Sequence, residues 1–300
     1  MGLIIGIEIA MPLLFIGLVA FARQGDAFSF ILHAMAYSAA LFFMWLVLPW
    51  DVTSLYWRQA QPVLLLAAVI IGARRVRPPK KPTRAVVRWL NRGINAVVLV
   101  FMASLCWRAL QGYPTPEGAI ELANPLPDTP FVVGHGGASV FINNHFRVPP
   151  QTYALDILGL TTWGGRRQGD PTDLESYAIW GAWVHAPCDG SVLASENGLE
   201  DLSPGQTDRE NLAGNHVLLD CGGAEVVLAH LRRGSVQVRP GQGVVTGDRL
   251  GQVGNSGNTS EPHLHIHAER GGEPGQLLDG EGVPMRIDGS FLVRGDVVRP

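Results

Sequence analysis

The chain has 300 residues, enough for two ordinary domains; 47% are hydrophobic and 16% are charged, against about 25% charged in soluble domains. The net charge of −3 divides unequally, because residues 1–112 hold 11 Lys/Arg and three Asp/Glu, whereas residues 113–300 hold 12 and 23. This composition excludes a disordered chain and a basic nucleic-acid-binding protein, and the three cysteines are too few for a disulfide scaffold.

The first part of the chain contains four apolar segments that we predict to be transmembrane helices, since a span of about 30 Å of hydrocarbon needs about 20 residues. The third segment is short and spans only if its helix extends back to Ser54, with Arg58 reaching towards the headgroups. A signal peptide is the alternative for the first segment, but it lacks a basic start and three more apolar runs follow. The segments are residues 3–22, 27–50, 63–73 and 93–110.

The stretch 74–92 predicts the orientation of these helices. It carries eight Lys/Arg and no acidic residue, and such loops face the cytoplasm. The N-terminus and everything after Leu110 should then lie on the opposite side. Glu8 and His33 are ionisable groups within predicted spans, where a function is the default interpretation. We interpret both as structural, because Glu8 is near a helix end and His33 is a single imidazole.

Residues 1–111 are therefore predicted to be a membrane anchor and residues 112–130, which begin Gly-Tyr-Pro-Thr-Pro, a linker. Residues 131–300 alternate short β-branched runs with turn signals. This pattern predicts a mainly antiparallel sheet or barrel-like sandwich with little helix. The predicted strands include 190–195, 215–220, 225–231, 243–248 and 262–269.

Candidate chemistry is concentrated in histidine. His263, His265 and His267 alternate in one predicted strand, and alternate residues of a strand share a face. Either His263 with His265, or His265 with His267, can therefore converge on one site. Neutral imidazole is the commonest metal ligand, so the pattern suits a metal site, although an exposed polar strand face would look the same.

Four separated motifs together resemble the lysostaphin-type (LytM-like) zinc metallopeptidases, which cut bacterial cell-wall peptides. In chain order they are NNHFRVPPQTYALD, WVHAPCDG, AHL and GNSGNTSEPHLH. The resemblance covers roughly residues 131–270, and the helices before them carry no such signature. It implies a domain of the duplicated hybrid motif, barrel-sandwich-like, with one zinc cleft.

The resemblance also implies the roles of five residues. His145, Asp156 and His265 correspond to the zinc ligands, and His230 and His263 to two active-site histidines that do not bind the metal. Two His and one Asp would leave a fourth coordination position open, as a catalytic zinc requires.

The first ligand departs from the family's common pattern. That pattern is H-x-x-x-D, but the residue four before Asp156 is Thr152. We therefore assign His145, eleven residues upstream, with His135 as the alternative. Asp156 lies in the apolar run YALDIL, where a lone buried carboxylate is costly unless paired or metal-bound.

The other marked residues receive weaker assignments. We expect His267 behind or at the rim of the site, and His185 and His216 outside it. The glycine-rich stretch 254–258 predicts a tight turn, since no helix pattern follows it. Cys188 and Cys221 can form a disulfide if their compartment permits one, and Cys106 is expected to be a free apolar residue.

The resemblance implies a membrane-anchored zinc metalloendopeptidase that hydrolyses the peptide cross-links of peptidoglycan. Its expected cofactor is Zn²⁺, its partners are peptidoglycan peptides and the lipid bilayer, and no nucleic acid is expected. The expected location is the bacterial inner (cytoplasmic) membrane, multi-pass, with the C-terminal domain outside the cytoplasm. Two alternatives remain, namely a catalytically silent regulator of other wall hydrolases and a protease for a protein substrate.

Overall fold

The computed structural model describes residues 2–78 and 85–300. The chain divides into two compact units, Met1–Leu110 and Gln111–Pro300. Residues 79–84, in the middle of the basic stretch 74–92, lie outside the described residues. The cytoplasmic position predicted for this stretch stays a prediction.

The first unit is helical in its described residues. Three of its helices, α2, α3 and α4, are long and apolar enough to cross a membrane, which supports three of the four predicted spans. Helix α1 has 20 residues, and its span stays a prediction. The helices are α1 (Gly2–Phe21), α2 (Ala27–Val47), α3 (Leu55–Arg74) and α4 (Ala85–Leu110).

Polar side chains mark the helix ends of this unit. Asp26 precedes α2 and its Oδ1 accepts from the amide of Ser29 at 2.9 Å, while both carboxylate oxygens accept from Arg92 at 3.0 Å. Helix α3 does extend back to Ser54, whose hydroxyl accepts from the amide of Tyr56. A short polar residue at this position satisfies an amide that the helix itself leaves open.

Glu8 and Arg58 are buried in this unit and contact residues of other segments. Thr53 donates to the Glu8 carboxylate at 2.7 Å, and the Trp57 indole donates to the Glu8 carbonyl at 2.8 Å. The Arg58 guanidinium lies 3.8 Å above the Trp45 ring, so it packs within the unit instead of reaching outwards. These contacts agree with a structural interpretation of Glu8.

The second unit is mainly β structure. Its described strands are β1 (Ile120–Leu122), β2 (Phe131–His135), β3 (Leu155–Gly159), β4 (Trp183–His185), β5 (Gly190–Glu196), β6 (Asn215–Asp220), β7 (Glu225–Leu231), β8 (Gly243–Val244), β9 (Arg249–Gln252), β10 (Leu264–Arg270), β11 (Glu281–Val283), β12 (Met285–Ile287) and β13 (Val297–Val298). Within the described chain, nine of them form one antiparallel sheet in the order β13-β2-β3-β10-β7-β6-β5-β8, and β11 also pairs with β10. The mainly antiparallel fold predicted from the sequence is confirmed.

Alternation along the central strands separates core from cleft. Ile157, Leu264 and Ile266 are completely buried and belong to the main hydrophobic cluster, while the residues between them point to the other face of the sheet. Full burial of such a side chain contributes about 1.5–3 kcal/mol. The core therefore fixes the positions of β3 and β10, and with them the side chains on the opposite face.

Some predicted boundaries differ from the structure. Residues 243–248 form only the short strand β8, because Val245 to Asp248 close a turn in which the Asp248 carboxylate accepts from the Val245 amide at 2.9 Å. Residues 112–130, predicted to be a linker, contain β1, which pairs in parallel with β12. Leu122 of this strand is buried in the core, so the segment is part of the second unit.

The disulfide between Cys188 and Cys221, which the sequence left open, is present. It joins the turn before β5 to the turn between β6 and β7. Both cysteines pack against the main hydrophobic cluster. Cys106 is a free thiol, buried in the first unit.

Candidate functional site

Asp156 and His265 face each other on neighbouring strands at the centre of the large sheet. The register of β3 and β10 pairs these two residues directly, and directly paired residues have side chains on the same face. The Asp156 Oδ1 atom lies 2.8 Å from Nδ1 of His265. Because both neighbours of each residue in sequence point into the core or its edge, a shift of register by one residue would separate the pair.

His145 reaches the same carboxylate from outside the sheet, on a 3₁₀ helix that comprises Asn144–Arg147. Its Nε2 lies 2.9 Å from Oδ2 of Asp156, and its Nδ1 lies 3.1 Å from Oε1 of Gln151. A second 3₁₀ helix, Pro149–Gln151, turns the chain back towards β3. This double turn accommodates the eleven residues that separate His145 from Asp156.

The turn before His145 is held by Asn143, which is 1% exposed. Its side-chain oxygen accepts from the amide of His145 at 3.0 Å, and its side-chain nitrogen donates to the carbonyls of Gly137 at 2.9 Å and Ala154 at 3.1 Å. One amide side chain thus ties the histidine turn to the start of β3. We did not single out Asn143 from the sequence, where a buried asparagine in a loop has no distinctive pattern.

The electrostatics of this cluster suit a cation. Burial opposes ionisation of Asp156, but the imidazoles of His145 and His263 hold the pKa of its carboxyl well below the usual range. Burial likewise opposes protonation of His145, and the Asp156 carboxylate nevertheless raises the pKa of that imidazole. A carboxylate that draws protons onto its neighbours is a place where positive charge is stabilised.

The donor atoms fit a zinc ion. Ligand atoms of His145, Asp156 and His265 all lie within 4.8 Å of one another. When His145 is neutral and donates its Nδ1 proton to Gln151, its Nε2 lone pair lies beside an Asp156 oxygen, and the two atoms can then bind one cation together. One carboxylate and two imidazoles, with a fourth position left for water, form the kind of donor set found in catalytic zinc sites.

His230 lies beside this cluster because β7 is irregular at that point. The pairing of β6 with β7 shifts between Asn215 and Val217, and His230 adopts a φ of 63°, in the left-handed region that non-glycine residues seldom occupy. Such a bulge re-aims a side chain. The His230 ring is buried, and its Nδ1 donates to the Ser256 carbonyl at 2.9 Å.

His263 stands opposite His230. It precedes β10, where the sequence placed it within the strand, and its ring centroid lies 4.7 Å from that of His230. Its Nδ1 lies 2.9 Å from the Glu261 carbonyl, while its Nε2 lies 3.5 Å from Asp156 Oδ1. In both histidines a backbone carbonyl therefore holds the Nδ1 proton and leaves Nε2 for the cleft.

The pKa values of these two histidines are shifted in opposite directions. Burial lowers the pKa of His230 well below its ordinary value. Burial also disfavours the charged form of His263, but the Asp156 carboxylate raises its pKa overall. Together with His265, the two rings form a second group whose ligand atoms lie within 4.8 Å of one another.

The structure thus brings all five predicted site residues together and leaves the alternative, His135, at the edge. The His135 ring centroid lies 6.1 Å from that of His145, and the Arg294 guanidinium donates to His135 Nδ1 at 2.7 Å. Burial, followed by the charge of Arg294, lowers the pKa of His135 to about 3. His135 belongs to neither ligand group among the described residues.

The remaining marked residues occupy supporting positions. His267 is 2% exposed and lies behind His265 instead of at the rim. His216 bonds to the Gly214 carbonyl and, like His185, is in neither ligand group within residues 2–78 and 85–300. The stretch 254–258 is a turn that packs closely against Gly214, and its Ser256 supplies the carbonyl that holds His230.

Residues 173–276 match the model of peptidase family M23, so the second unit contains a domain of this family. The matched range includes His230, His263 and His265 and begins after His145 and Asp156. No curated protein gives a significant match to the chain.

Solved structures similar to the chain include a putative peptidase M23 from Pseudomonas aeruginosa, at 22% identity and a TM-score of 0.27, covering 50% of this chain and 48% of that one. The catalytic domain of the antimicrobial peptidase lysostaphin from Staphylococcus simulans is 18% identical, with a TM-score of 0.29, covering 48% of this chain and 83% of that one. The SpoIIQ–SpoIIIAH pore-forming complex matches at 16% identity and a TM-score of 0.34, covering 54% of this chain and 87% of that one. The chain thus spans about half of the Pseudomonas protein.

Proposed function

We propose that the M23-family domain of this chain is a zinc metalloendopeptidase that hydrolyses peptide cross-links of bacterial peptidoglycan. The observation that carries the proposal is the convergence of His145, Asp156 and His265 beside His230 and His263. The first three would hold the metal, and the other two would act on the reacting groups.

Zinc held at this site would polarise the scissile carbonyl and lower the pKa of a water molecule towards about 7. The chain's own task is to move protons and to stabilise the oxyanion. A neutral imidazole with Nε2 towards the cleft can accept the proton of the attacking water, and a protonated one can donate to the oxyanion. His230 and His263 both present Nε2 in this way and divide the two tasks.

The regulatory alternative is less well supported by the residues. A catalytically silent relative would be expected to lose metal ligands or active-site histidines, whereas all five positions in this chain are occupied by residues of the required type. Their mutual placement also needs four separate segments to converge, including a turn held by Asn143 that contributes His145.

The location proposed for the domain is outside the cytoplasm, attached to the inner membrane by the N-terminal helices. The basic residues of stretch 74–92 favour a cytoplasmic position for that stretch, and α4 leads from it to the domain. The disulfide between Cys188 and Cys221 supports an oxidising compartment. Peptidoglycan is accessible from that side of the membrane.

Metal analysis and wall digestion test the proposal together. The full chain, purified in detergent, should contain one zinc per chain and should release new amino termini from purified peptidoglycan. Asp156→Asn is the inactive control. Stoichiometric zinc with cleavage of a protein and none of peptidoglycan would favour the protein-protease alternative, and absence of zinc with no cleavage would favour the regulator.

A further inference from the structure

The strand that carries His265 also places His267 and Glu269 on the same face, further from the cleft. Residues at alternate positions of a strand share a face, and the three are 3%, 2% and 2% exposed. The Nε2 atom of His265 lies 2.9 Å from Nδ1 of His267. The Nε2 atom of His267 lies 3.8 Å from Oε1 of Glu269. The three side chains thus form a buried row that begins at Asp156.

The far end of the row is a fixed carboxylate. Glu269 accepts from the amide of Leu278 at 3.0 Å through Oε1 and from the amide of Gly280 at 2.8 Å through Oε2. Burial opposes its ionisation, but the His267 imidazole and these amides lower the pKa of Glu269 overall. A buried carboxylate held by two amides cannot turn away from His267 without losing both hydrogen bonds.

Only one placement of protons satisfies the whole row when His265 binds a metal through Nδ1, the nitrogen that faces Asp156. The His265 proton must then be on Nε2, where it is donated to Nδ1 of His267. The His267 proton must be on its own Nε2, which faces Glu269. The last contact is longer than a hydrogen bond, so the carboxylate acts there through its charge.

We propose that His267 and Glu269 are positioning residues that hold His265 in the tautomer and ring orientation needed for zinc. This inference rests on the proposed function. Groups that hold the second nitrogen of a ligating histidine fix its orientation and raise its basicity, and their loss commonly weakens metal binding about 10–100-fold. Neither residue reaches the cleft, so neither is a catalytic residue.

A matched pair of substitutions at His267 tests the proposal. In His267→Leu the acceptor for His265 is lost at similar volume, and we expect the zinc dissociation constant of the full chain to rise about 10–100-fold. In His267→Gln an amide oxygen can still accept from His265, and we expect most of the affinity to return. Affinities are measured by competition with a chromophoric chelator, and His185→Leu, at a buried histidine outside both ligand groups, is the control.

A double-mutant cycle separates positioning from packing. Glu269→Gln alone should weaken zinc binding about tenfold, but it should have little further effect in the His267→Leu background, because the carboxylate acts through His267. Additive losses would mean that the two residues act independently and would overturn the proposal. Melting of the zinc-free proteins shows whether a variant has lost its fold.

The outcomes also distinguish this inference from the function on which it rests. If the wild-type chain binds no zinc, the proposed function fails. If it binds zinc and both His267 variants and Glu269→Gln bind it equally well, the function stands and the positioning role is refuted. Should His267→Leu not fold, Glu269→Gln decides alone, and an unchanged zinc dissociation constant would overturn the proposal.

Discussion

Replacing Asp156 with Asn removes the negative charge at the centre of the cleft while it keeps the size of the side chain. In the native site this carboxylate lies 2.9 Å from His145 Nε2 and 2.8 Å from His265 Nδ1. Loss of a residue that merely supports a ligand costs up to about 100-fold in metal affinity, so loss of a charged ligand should cost at least about 100-fold, or about 2.8 kcal/mol. We expect the variant to be inactive.

The thermal consequence of Asp156→Asn follows from mass action. Zinc at about 100 times the wild-type dissociation constant stabilises the native state by about 2.7 kcal/mol, whereas the same concentration stabilises a variant with 100-fold weaker binding by only about 0.4 kcal/mol. At about 2–4 °C per kcal/mol for a unit of this size, the zinc-dependent rise in melting temperature should be about 5–9 °C smaller in the variant.

Differential scanning fluorimetry of the full chain in detergent, with zinc and with a chelator, measures this difference. Asp128→Asn, at an exposed carboxylate in the same unit, is the matched control and should behave as wild type. We expect the zinc-free Asp156→Asn protein to keep its β fold at neutral pH, since the core does not include this side chain. An Asp156→Asn variant with the full zinc-dependent shift would refute Asp156 as a ligand.

Three further predictions follow from the site and the helices. His230→Ala and His263→Ala should each keep zinc, measured by metal analysis, but lose most peptidase activity; loss of the metal would assign that histidine to the ligand set. A reporter active only in the cytoplasm should give signal when fused after Arg77 and none when fused after Gly112, and the reverse pattern would invert the topology. In zinc-free protein, melting temperature should fall as pH drops below the ordinary histidine value of 6.5, because the unfolded chain binds more protons; a melting temperature that stays constant or rises between pH 7 and 5 would contradict this. Burial lowers the pKa of five histidines, so their contribution to stability is present above pH 6.5 and is lost as the pH falls below it. Asp156 raises the pKa of His145 and His263 despite their burial. These two histidines therefore stabilise the native state at low pH, and that contribution is lost as the pH rises through their raised pKa values. The five are His135, His216, His230, His265 and His267.

Periodicity in the sequence was sufficient to predict the parts of the site that lie on regular strands. The runs 215–220 and 225–231 coincide with β6 and β7. The alternation around His265 correctly placed its two apolar neighbours in the core. A period of two residues determines which face a side chain occupies, and this information is local to each strand.

Features that depend on tertiary contacts were not predictable in the same way. The strand β1 is only three residues long and is stabilised by pairing with β12, more than 160 residues later. The sequence around it contains Pro and Gly, so local signals indicated a linker. Similarly, the bulge at His230 depends on how β6 pairs with β7, and the single sequence gives no register.

The eleven-residue spacing before Asp156 illustrates how a site can keep its donor set while its local sequence changes. A spacing of four residues would bring the first histidine directly from the approach to β3. Here two 3₁₀ helices, the second beginning at Pro149, fold the additional residues back so that His145 returns to the carboxylate. Prolines limit the conformations of the unfolded segment, and Asn143 closes the turn with three hydrogen bonds. The longer loop therefore still holds the His145 side chain in a defined position. Strands β2 and β3 fix its two ends, and the side-chain amide of Asn143 fixes its middle.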